Sequence, residues 1–169
     1  DNGGAIGWLI GEEGDGMRNM FTMMNNARLS VGLQGLAVAE RAYQQALAYA
    51  QERRQGTAVG AERGTSSPII DHADVRRLLM TQRAWIDAMR CLIYTNAAAI
   101  DRSKRGSGAE AEAARELAEL YIPLSKGLCT DVGNEMTSLA VQIHGGMGFV
   151  EETGIAQHYR DIRIAAIYE

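Results

Sequence analysis

Features that define several classes of protein are scarce or missing in this chain. Its 169 residues include only two cysteines, Cys91 and Cys129, which lack the spacing of a zinc site or a disulfide framework. We therefore predict two buried, reduced thiols and no metal site. Hydrophobic residues make up 46% of the chain but form no uninterrupted run long enough to span a bilayer. No segment has the pattern of a secretory leader, so we expect a soluble, cytoplasmic protein.

A basic surface is missing as well. The formal net charge is −4, and residues of the two signs are interspersed along the chain. Proteins that bind the nucleic-acid backbone carry clustered lysines and arginines, so binding to nucleic acid is not predicted. The chain lacks an initiator methionine and ends within a motif, which leads us to expect a fragment of a longer protein. Its length is enough for one domain with its own core.

The chain does contain long stretches of helical periodicity. Residues 1–16 are rich in glycine and predict the end of a strand followed by a linker. Asp15 is the expected start of a helix that runs to about Arg54, because apolar residues recur every three or four positions. The methionines at helical spacing near its start are predicted to be adaptable core residues: Met17, Met20, Met23 and Met24.

The region after this helix has no apolar period. Residues 55–70 contain several glycines and are predicted to form a long loop, of a length that is often functional or mobile. Asp71 or Asp74 is expected to cap a second helix, which ends before Gly106. The apolar stripe of this helix indicates that one face packs in the core.

A third helix is predicted over residues 109–143. Its inward stripe is expected to include Leu117, Leu120, Leu124 and Leu128. Pro123 removes one backbone donor and is expected to kink or split the helix near Ile122. A last, short helix is predicted over residues 160–169. Long helices with almost no strand signal indicate an all-α fold, an up-down helical bundle.

Two local features suggest a functional site. The third helical pattern stops at Gly145-Gly146-Met147-Gly148, where glycine permits positive φ and close approach of another molecule. The chain ends on Glu169, and a carboxylate beside the apolar residues Ile164, Ile167 and Tyr168 tends to have a raised pKa, which suits a general base. From the residues alone, a helix cap and a solvated glutamate remain the alternatives.

Together these motifs resemble the C-terminal signature of the acyl-CoA dehydrogenases. The matching pattern is Gln142-Ile143-x-Gly145-Gly146-x-Gly148-Phe149, then Arg160-Asp161, then Ile167-Tyr168-Glu169. Upstream, the segment from Met20 to Leu29 is similar to a bacterial long-form branch of that family. The resemblance implies that residues 1–16 are a linker and the end of a preceding middle β-domain. It also implies that residues 17–169 are the C-terminal helical bundle of a longer, FAD-dependent enzyme.

The resemblance assigns catalytic and substrate-binding roles. Glu169 matches the glutamate that removes the α-proton of an acyl thioester, and Tyr168 would lie against that thioester. Arg28 matches an arginine on the helix that faces the substrate and orients the part that carries CoA. Asn25 stands on the same wall, where better-known members have an acidic residue. The alternative is that the aliphatic part of the Arg28 side chain packs at the start of the helix while its guanidinium lies in solvent.

Cofactor roles follow from the same resemblance. Arg53 matches an arginine that reaches the FAD phosphates on a neighbouring subunit, and a guanidinium suits this because it bonds phosphate oxygens in pairs. Gln142 to Gly146 match the segment that lies against the adenine end of FAD, with Gly145 and Gly146 at closest approach. His72 stands where the family has a His-Gln pair, although a cap or surface residue is the alternative. Arg160 and Asp161 are expected to pair locally and fix the turn before Glu169.

The resemblance implies oxidation of an acyl-CoA to the α,β-enoyl-CoA. Electrons would pass to an electron-transferring flavoprotein, and the enzyme would be a homo-oligomer, a dimer or a tetramer. Three alternatives remain open: an acyl-CoA oxidase on the same fold, a DNA-associated alkylation-response member, and a helical interaction module without chemistry. The missing basic surface counts against the DNA-associated alternative.

Overall fold

Five α-helices form the architecture of the computed structural model, which describes residues 3–168. They are α1 (Gly16–Glu52), α2 (Ala73–Arg105), α3 (Gly108–His144), α4 (Gly146–Phe149) and α5 (Ile155–Arg163). Short 3-10 helices lie at Ile69–Asp71, Glu151–Thr153 and Ile164–Ala166. No strand occurs between residues 3 and 168. The predicted all-α bundle is confirmed, and the short α2–α3 connection makes those helices antiparallel neighbours.

The backbones of α1 and α3 approach each other closely at three glycines. A Cβ on Gly32 would lie 2.6 Å from the carbonyl oxygen of Ser125, and one on Gly35 would overlap the carbonyl of Cys129. From the other side, a Cβ on Gly133 would lie 3.0 Å from the carbonyl oxygen of Gly35. We call these residues the glycine contact. Only glycine on α1 permits this approach, which explains the helix-weakening residues inside a long helix.

The core lies along α1, α2 and α3 in two clusters. One surrounds the glycine contact and contains Leu36, Ile86, Met89, Cys129 and Met136. The other lies toward the C-terminal ends of α1 and α3, where it also receives the first residue of α5: Ala42, Ala46, Leu79, Ile143 and Ile155. The ends of α1 and α3 are therefore held together by buried apolar surface, the main stabilising contribution in such a domain.

The inward face of α3 differs from the predicted one in its first half. Leu120, Leu124 and Leu128 are exposed, and the buried positions are small or polar instead: Ala111, Ala114, Ala118, Ser125 and Cys129, with Ile122. The prediction was wrong for these three leucines, and at Ser125 and Cys129 the backbone of α1 lies too close to leave room for a leucine side chain. The leucines consequently lie on the outer face.

Two other burial predictions are corrected. Cys129 is buried, and burial raises the pKa of its thiol to about 11, but Cys91 is exposed. The methionines at the start of α1 are not core residues. Met17, Met20 and Met23 are exposed and Met24 is half-buried, and the first buried residue of α1 is Val31.

Several helix boundaries also differ from the predictions. Helix α3 runs unbroken through Pro123, which is exposed, so the carbonyl that its ring leaves unpaired can meet water. Helix α5 begins at Ile155 rather than residue 160, because Gly154 adopts a left-handed conformation and ends the preceding turn. Neither Asp71 nor Asp74 caps α2. Residue 72 is its N-cap, without a side-chain bond, and Asp74 pairs with Arg77 instead.

Residues 3–15 contain bends and turns. Their assignment to the end of a preceding domain stays a prediction. No helix within the described chain is long and apolar enough to cross a membrane. Over the same residues, no group of three or more His, Cys, Asp or Glu side chains is arranged to hold a metal ion.

Candidate functional site

The C-terminal ends of α1 and α3 meet at a cavity of about 290 Å³. Its lining comes from both helix ends and from the segments that follow them: Tyr49, Arg53, Gln55, Ile69, Ile143, His144, Gly145, Gly146 and Met147. A neighbouring cavity of about 360 Å³ shares Gln55, Ile69 and Ile143 and is also lined by His72. We call the two cavities and their lining the glycine-turn site. Predicted cofactor residues Arg53, His72, Gly145 and Gly146 all lie here.

The loop after α1 is closed by backbone hydrogen bonds rather than irregular throughout. The N–H of Ile69 donates to the carbonyl of Arg53 at 2.8 Å, and the N–H of Gln55 donates to Ser67 at 2.9 Å. His72 Nε2 donates to the carbonyl of Gln55 at 2.8 Å. This bond holds the loop against the start of α2, so His72 contributes to the shape of the site and lines its second cavity.

Among the described residues that line the 290 Å³ cavity, Arg53 is the one that carries a guanidinium. It is the C-cap of α1, and its backbone N–H bonds the carbonyl of Tyr49 at 2.9 Å. Its side chain is exposed and makes no hydrogen bond or ion pair with any residue from 3 to 168. The donors of this side chain are therefore available to an anionic ligand, and the predicted contact with the FAD phosphates stays a prediction.

The glycine turn has two kinds of glycine. Gly145 has φ 58° and ψ −137°, a conformation that strongly favours glycine, and a Cβ on Gly145 or Gly146 would meet no atom within 4 Å. A Cβ on Gly148 would instead overlap the carbonyl of Val141. Packing therefore requires glycine at position 148, whereas the space beside the Gly146 backbone is open. Gln142 has an exposed side chain, and its carbonyl accepts the N–H of Gly145 at 3.0 Å.

His144, the last residue of α3, lies within the predicted segment Gln142 to Gly146 but was given no role of its own. Its ring stacks on Tyr49 with 4.2 Å between centroids and an interplanar angle of 20°. Nδ1 lies 2.8 Å from the carbonyl oxygen of Ala140 and donates to it. Burial lowers the pKa of His144, although the bond to Ala140 partly opposes this. Its position directly before the glycines was the signal available in the sequence.

A hydrogen-bonded chain supports the turn from behind. Gln45 on α1 donates to the carbonyl of Thr153, whose hydroxyl donates to the carbonyl of Met147 at 2.8 Å. His158 on α5 completes the chain with a bond of 3.2 Å to Gln45 Oε1. These contacts tie the glycine turn to α1 and α5, and sequence spacing gives no sign of them because Gln45 and Thr153 are far apart in the chain.

The predicted pair of Arg160 and Asp161 does not form directly. Both side chains bond Gln157 instead, with Arg160 donating to Oε1 at 2.9 Å and Asp161 accepting from Nε2 at 2.5 Å. Arg160 also lies 3.7 Å from Glu151. Since these residues are exposed, the contacts order the surface of α5 and contribute little to stability.

The predicted substrate residues lie elsewhere on α1. Arg28 and Asn25 are half-buried in its first half, and the Arg28 guanidinium lies 5.9 Å from the centroid of Phe21. From Arg28 to Arg53, a helix spans about 38 Å at 1.5 Å per residue. The structure therefore separates the predicted substrate residues from the predicted cofactor residues.

The C-terminal segment returns to the first half of α1. The Tyr168 hydroxyl donates to Gln34 Oε1 at 3.2 Å, and Gln34 lies about 9 Å along the helix from Arg28. Tyr168 and Arg28 are thus on the same part of the molecule. The predicted base Glu169 lies outside the described residues, so its role stays a prediction.

The fold and site define a helical domain with a cavity suited to an anionic ligand that approaches the backbone. Residues 14–169 match the family described as acyl-CoA dehydrogenase, C-terminal domain. The chain therefore belongs to the acyl-CoA dehydrogenase family.

Individual relatives agree with this assignment. The chain is 50% identical over 165 residues to 3-methylmercaptopropionyl-CoA dehydrogenase of Ruegeria pomeroyi, covering 98% of this chain and 28% of the relative. It is 37% identical over 175 residues to a butyryl-CoA dehydrogenase of Syntrophomonas wolfei, covering 100% of this chain and 29% of the relative. The solved structure of butyryl-CoA dehydrogenase from Megasphaera elsdenii superposes with a TM-score of 0.74 at 28% identity, over 94% of this chain and 36% of that one. The chain spans less than a third of the length of these curated relatives.

Proposed function

We propose that this domain is part of an FAD-dependent acyl-CoA dehydrogenase that converts an acyl-CoA thioester to the α,β-enoyl-CoA. Family membership supports the class of reaction. The 50% identical relative is named for a short, sulfur-containing acyl thioester, which favours a short acyl chain. The observation that carries the proposal is the open space before Gly146, next to the available Arg53 side chain.

The residues of the glycine-turn site fit part of a flavin dinucleotide. A Cβ on Gly145 or Gly146 would occupy the space that a close ligand needs, and no packing contact within the described chain fills that space. Arg53 would bond a phosphate, and Gln142 would hold the turn through its carbonyl. When bound, FAD supplies the hydride acceptor for the β-carbon of the substrate.

The catalytic base is Glu169. The preceding Tyr168 is anchored to Gln34 on α1, which supports a fixed position for the base beside the thioester. Glu169 removes the α-proton, and hydrogen-bond donors that point at the developing enolate oxygen stabilise the negative charge. Arg28 and Asn25 lie on the same part of α1 and orient the bound acyl-CoA.

The separation of the two groups of residues along α1 supports a homo-oligomer. About 28 Å of helix lies between Gln34, which anchors Tyr168, and Arg53. One chain would therefore supply the base to one flavin and the glycine-turn site to the flavin of a neighbouring subunit. The proposed electron acceptor is an electron-transferring flavoprotein, and the compartment is the cytoplasm.

The test is anaerobic titration of the whole protein with acyl-CoA thioesters of different chain length. We expect saturated acyl-CoA to bleach the flavin absorbance, with butyryl-CoA and 3-methylmercaptopropionyl-CoA among the effective compounds. A flavin that no acyl-CoA reduces would contradict the proposal. Consumption of oxygen at a matching rate without an external acceptor would assign the protein to the oxidases instead.

A further inference from the structure

The hydrogen-bonded chain behind the glycine turn passes through one side chain, that of Gln45. This residue is half-buried on α1, and its amide bonds residues that lie 108 and 113 positions later in the sequence. The carbonyl of Thr153 only accepts, so the amide nitrogen of Gln45 faces it and Oε1 faces His158. His158 Nε2 therefore carries a proton and donates to Oε1 at 3.2 Å. Both ends of the amide are used, which fixes its orientation.

Thr153 connects Gln45 to the glycine turn. Its hydroxyl lies 2.8 Å from the carbonyl oxygen of Met147 and 3.2 Å from that of Val150. These carbonyls belong to the end of α4, which has only four residues. The last carbonyls of a helix have no partner inside the helix, and four residues are too few to form a stable helix on their own. Thr153 therefore supplies from outside a bond that α4 cannot make.

Met147 joins the hydrogen-bonded chain to the cofactor cavity. Gly146 and Met147 line the 290 Å³ cavity, but the chain contributes none of its three side chains to the described lining of either cavity. On its other side the turn packs against α3, where the Gly148 backbone lies close to the Val141 carbonyl. The turn is thus held between α3 and the Thr153 hydroxyl, and a shift at Met147 would move the Gly146 backbone beside the cavity.

We propose that Gln45 and Thr153, with His158 orienting Gln45, are positioning residues that hold the glycine turn in the shape that accepts the flavin dinucleotide. The inference rests on the function proposed above and extends it to side chains that do not line the cofactor cavities. Loss of one bond in the chain lets α4 relax and moves the Gly146 backbone. Affinity for FAD then falls although no lining residue has changed. A general contribution to stability would also explain these bonds, so the test compares affinity with stability.

Thr153→Val tests the last bond of the chain. Valine has the shape of threonine without the hydroxyl, so the variant loses the bond to the turn and keeps the backbone carbonyl that Gln45 bonds. Thr153→Ser keeps a hydroxyl and should keep the affinity for FAD. The matched control is Thr81→Val on α2, where a half-buried threonine donates to the carbonyl of Arg77 at 2.9 Å.

Quenching of flavin fluorescence measures binding of FAD to the flavin-free whole protein, and urea unfolding of the same proteins measures stability. We expect Thr153→Val to bind FAD about three- to tenfold more weakly than the unaltered protein, the range of one neutral hydrogen bond. Thr81→Val should bind FAD as the unaltered protein does, although it also loses a hydroxyl bond. Unchanged affinity in Thr153→Val, or the same loss of affinity in Thr81→Val, would overturn the proposal.

A second variant tests whether the residues act as one chain. Gln45→Met keeps the length of the side chain and removes both of its hydrogen bonds. If Gln45 acts through Thr153, the double variant should bind FAD about as weakly as the weaker of the two single variants. Losses of affinity that multiply would show independent effects and contradict the chain. The function proposed above fails separately, if the unaltered protein binds no FAD, whereas normal binding by every variant removes this inference alone.

Discussion

The glycine-turn site and the first half of α1 are built in opposite ways. At the glycine-turn site, two helix ends, a closed loop and a hydrogen-bonded chain converge around cavities within this domain. Between Gly16 and Ser30, by contrast, no residue of α1 is buried. Apolar side chains such as Met17, Phe21 and Met23 lie exposed there. The domain thus forms ordered cavities at one candidate site and an exposed wall at the other.

This difference separates the roles that the two regions can have. A site whose lining is already ordered loses little conformational entropy when it binds, so its residues contribute directly to affinity. A single exposed wall can orient a ligand only together with other surfaces of the whole protein. Substitutions at the glycine-turn site should therefore change retention of the cofactor. Substitutions near Arg28 and Tyr168 should change substrate handling in the whole protein.

The largest effect is expected at the substrate side. Glu169→Gln keeps the shape of the side chain and removes the base, so reduction of the flavin by acyl-CoA should slow by roughly 10²–10⁴. Affinity for FAD should not change, since none of the residues proposed to hold the cofactor is altered. Anaerobic stopped-flow bleaching and flavin content measure the two quantities. Bleaching at the unaltered rate would show that the base is another residue.

A second variant addresses the other region. Arg53→Ala should weaken FAD binding by roughly ten- to a hundredfold, because a hydrogen bond to a charged group is worth about 1.5–3 kcal/mol. The preference among acyl-CoA chain lengths should stay the same. Flavin content after extensive dilution measures the effect. Full retention of flavin would place the Arg53 side chain in solvent rather than on a phosphate.

Two glycines of the turn form a matched pair. Gly148→Ala should lower the free energy of unfolding by about 1–3 kcal/mol, because the new methyl group overlaps the Val141 carbonyl. Gly146→Ala has open space and should leave that free energy nearly unchanged while flavin retention falls. Urea unfolding and flavin content distinguish the two. A Gly146→Ala protein that retains flavin fully would remove the close approach on which the proposed function rests.

The smallest effect concerns the contact between α1 and α2, midway between the two regions. Burial alone would raise the pKa of Glu40, but hydrogen bonds from Arg90, at 2.7 Å, and Gln44 outweigh burial and lower it. A carboxyl with a lowered pKa stabilises the fold above its unfolded-state pKa, and this contribution is lost as the pH falls through the folded-state pKa. Arg90→Met should therefore cost up to about 1 kcal/mol at neutral pH. The difference from the unaltered protein should shrink in acid, as followed by urea unfolding at several pH values. A pH-independent difference would mean that lost packing causes it.

Much of the fold could be predicted, because the spacing of apolar residues indicates the helices and the cluster of glycines indicates where α3 ends. The three long helices and the position of the glycine turn are visible in the sequence, since both depend on local spacing. The inward face of α3 could not be predicted. Leucines normally mark the core, and only the close approach at Gly32 and Gly35, nearly a hundred residues upstream, turns Leu124 and Leu128 outward.

The candidate site also has residues that could be predicted from the sequence and residues that could not. Arg53 and the pair Gly145 and Gly146 were predicted from two motifs that resemble those of the family, and the structure places them together at one cavity. Gln45 was missed and His144 was given no role of its own, because their contacts with Thr153 and Tyr49 join residues that are far apart in the chain. The His144 ring is held by Tyr49 and Ala140, and neither contact has a signature in the residue order.

The glycine contact limits the insertions and deletions that sequences of this family can tolerate. Because the two backbones touch, α1 and α3 cannot slide past each other. The number of residues after the glycine contact therefore fixes where each helix ends. Arg53 lies about 27 Å beyond Gly35, and Gly145 lies about 18 Å beyond Gly133. One residue inserted in either interval would turn its helix end by about 100° and move it by about 1.5 Å. We expect natural insertions and deletions to avoid these two intervals and to collect in the exposed residues 59–66, where chain length is free to vary.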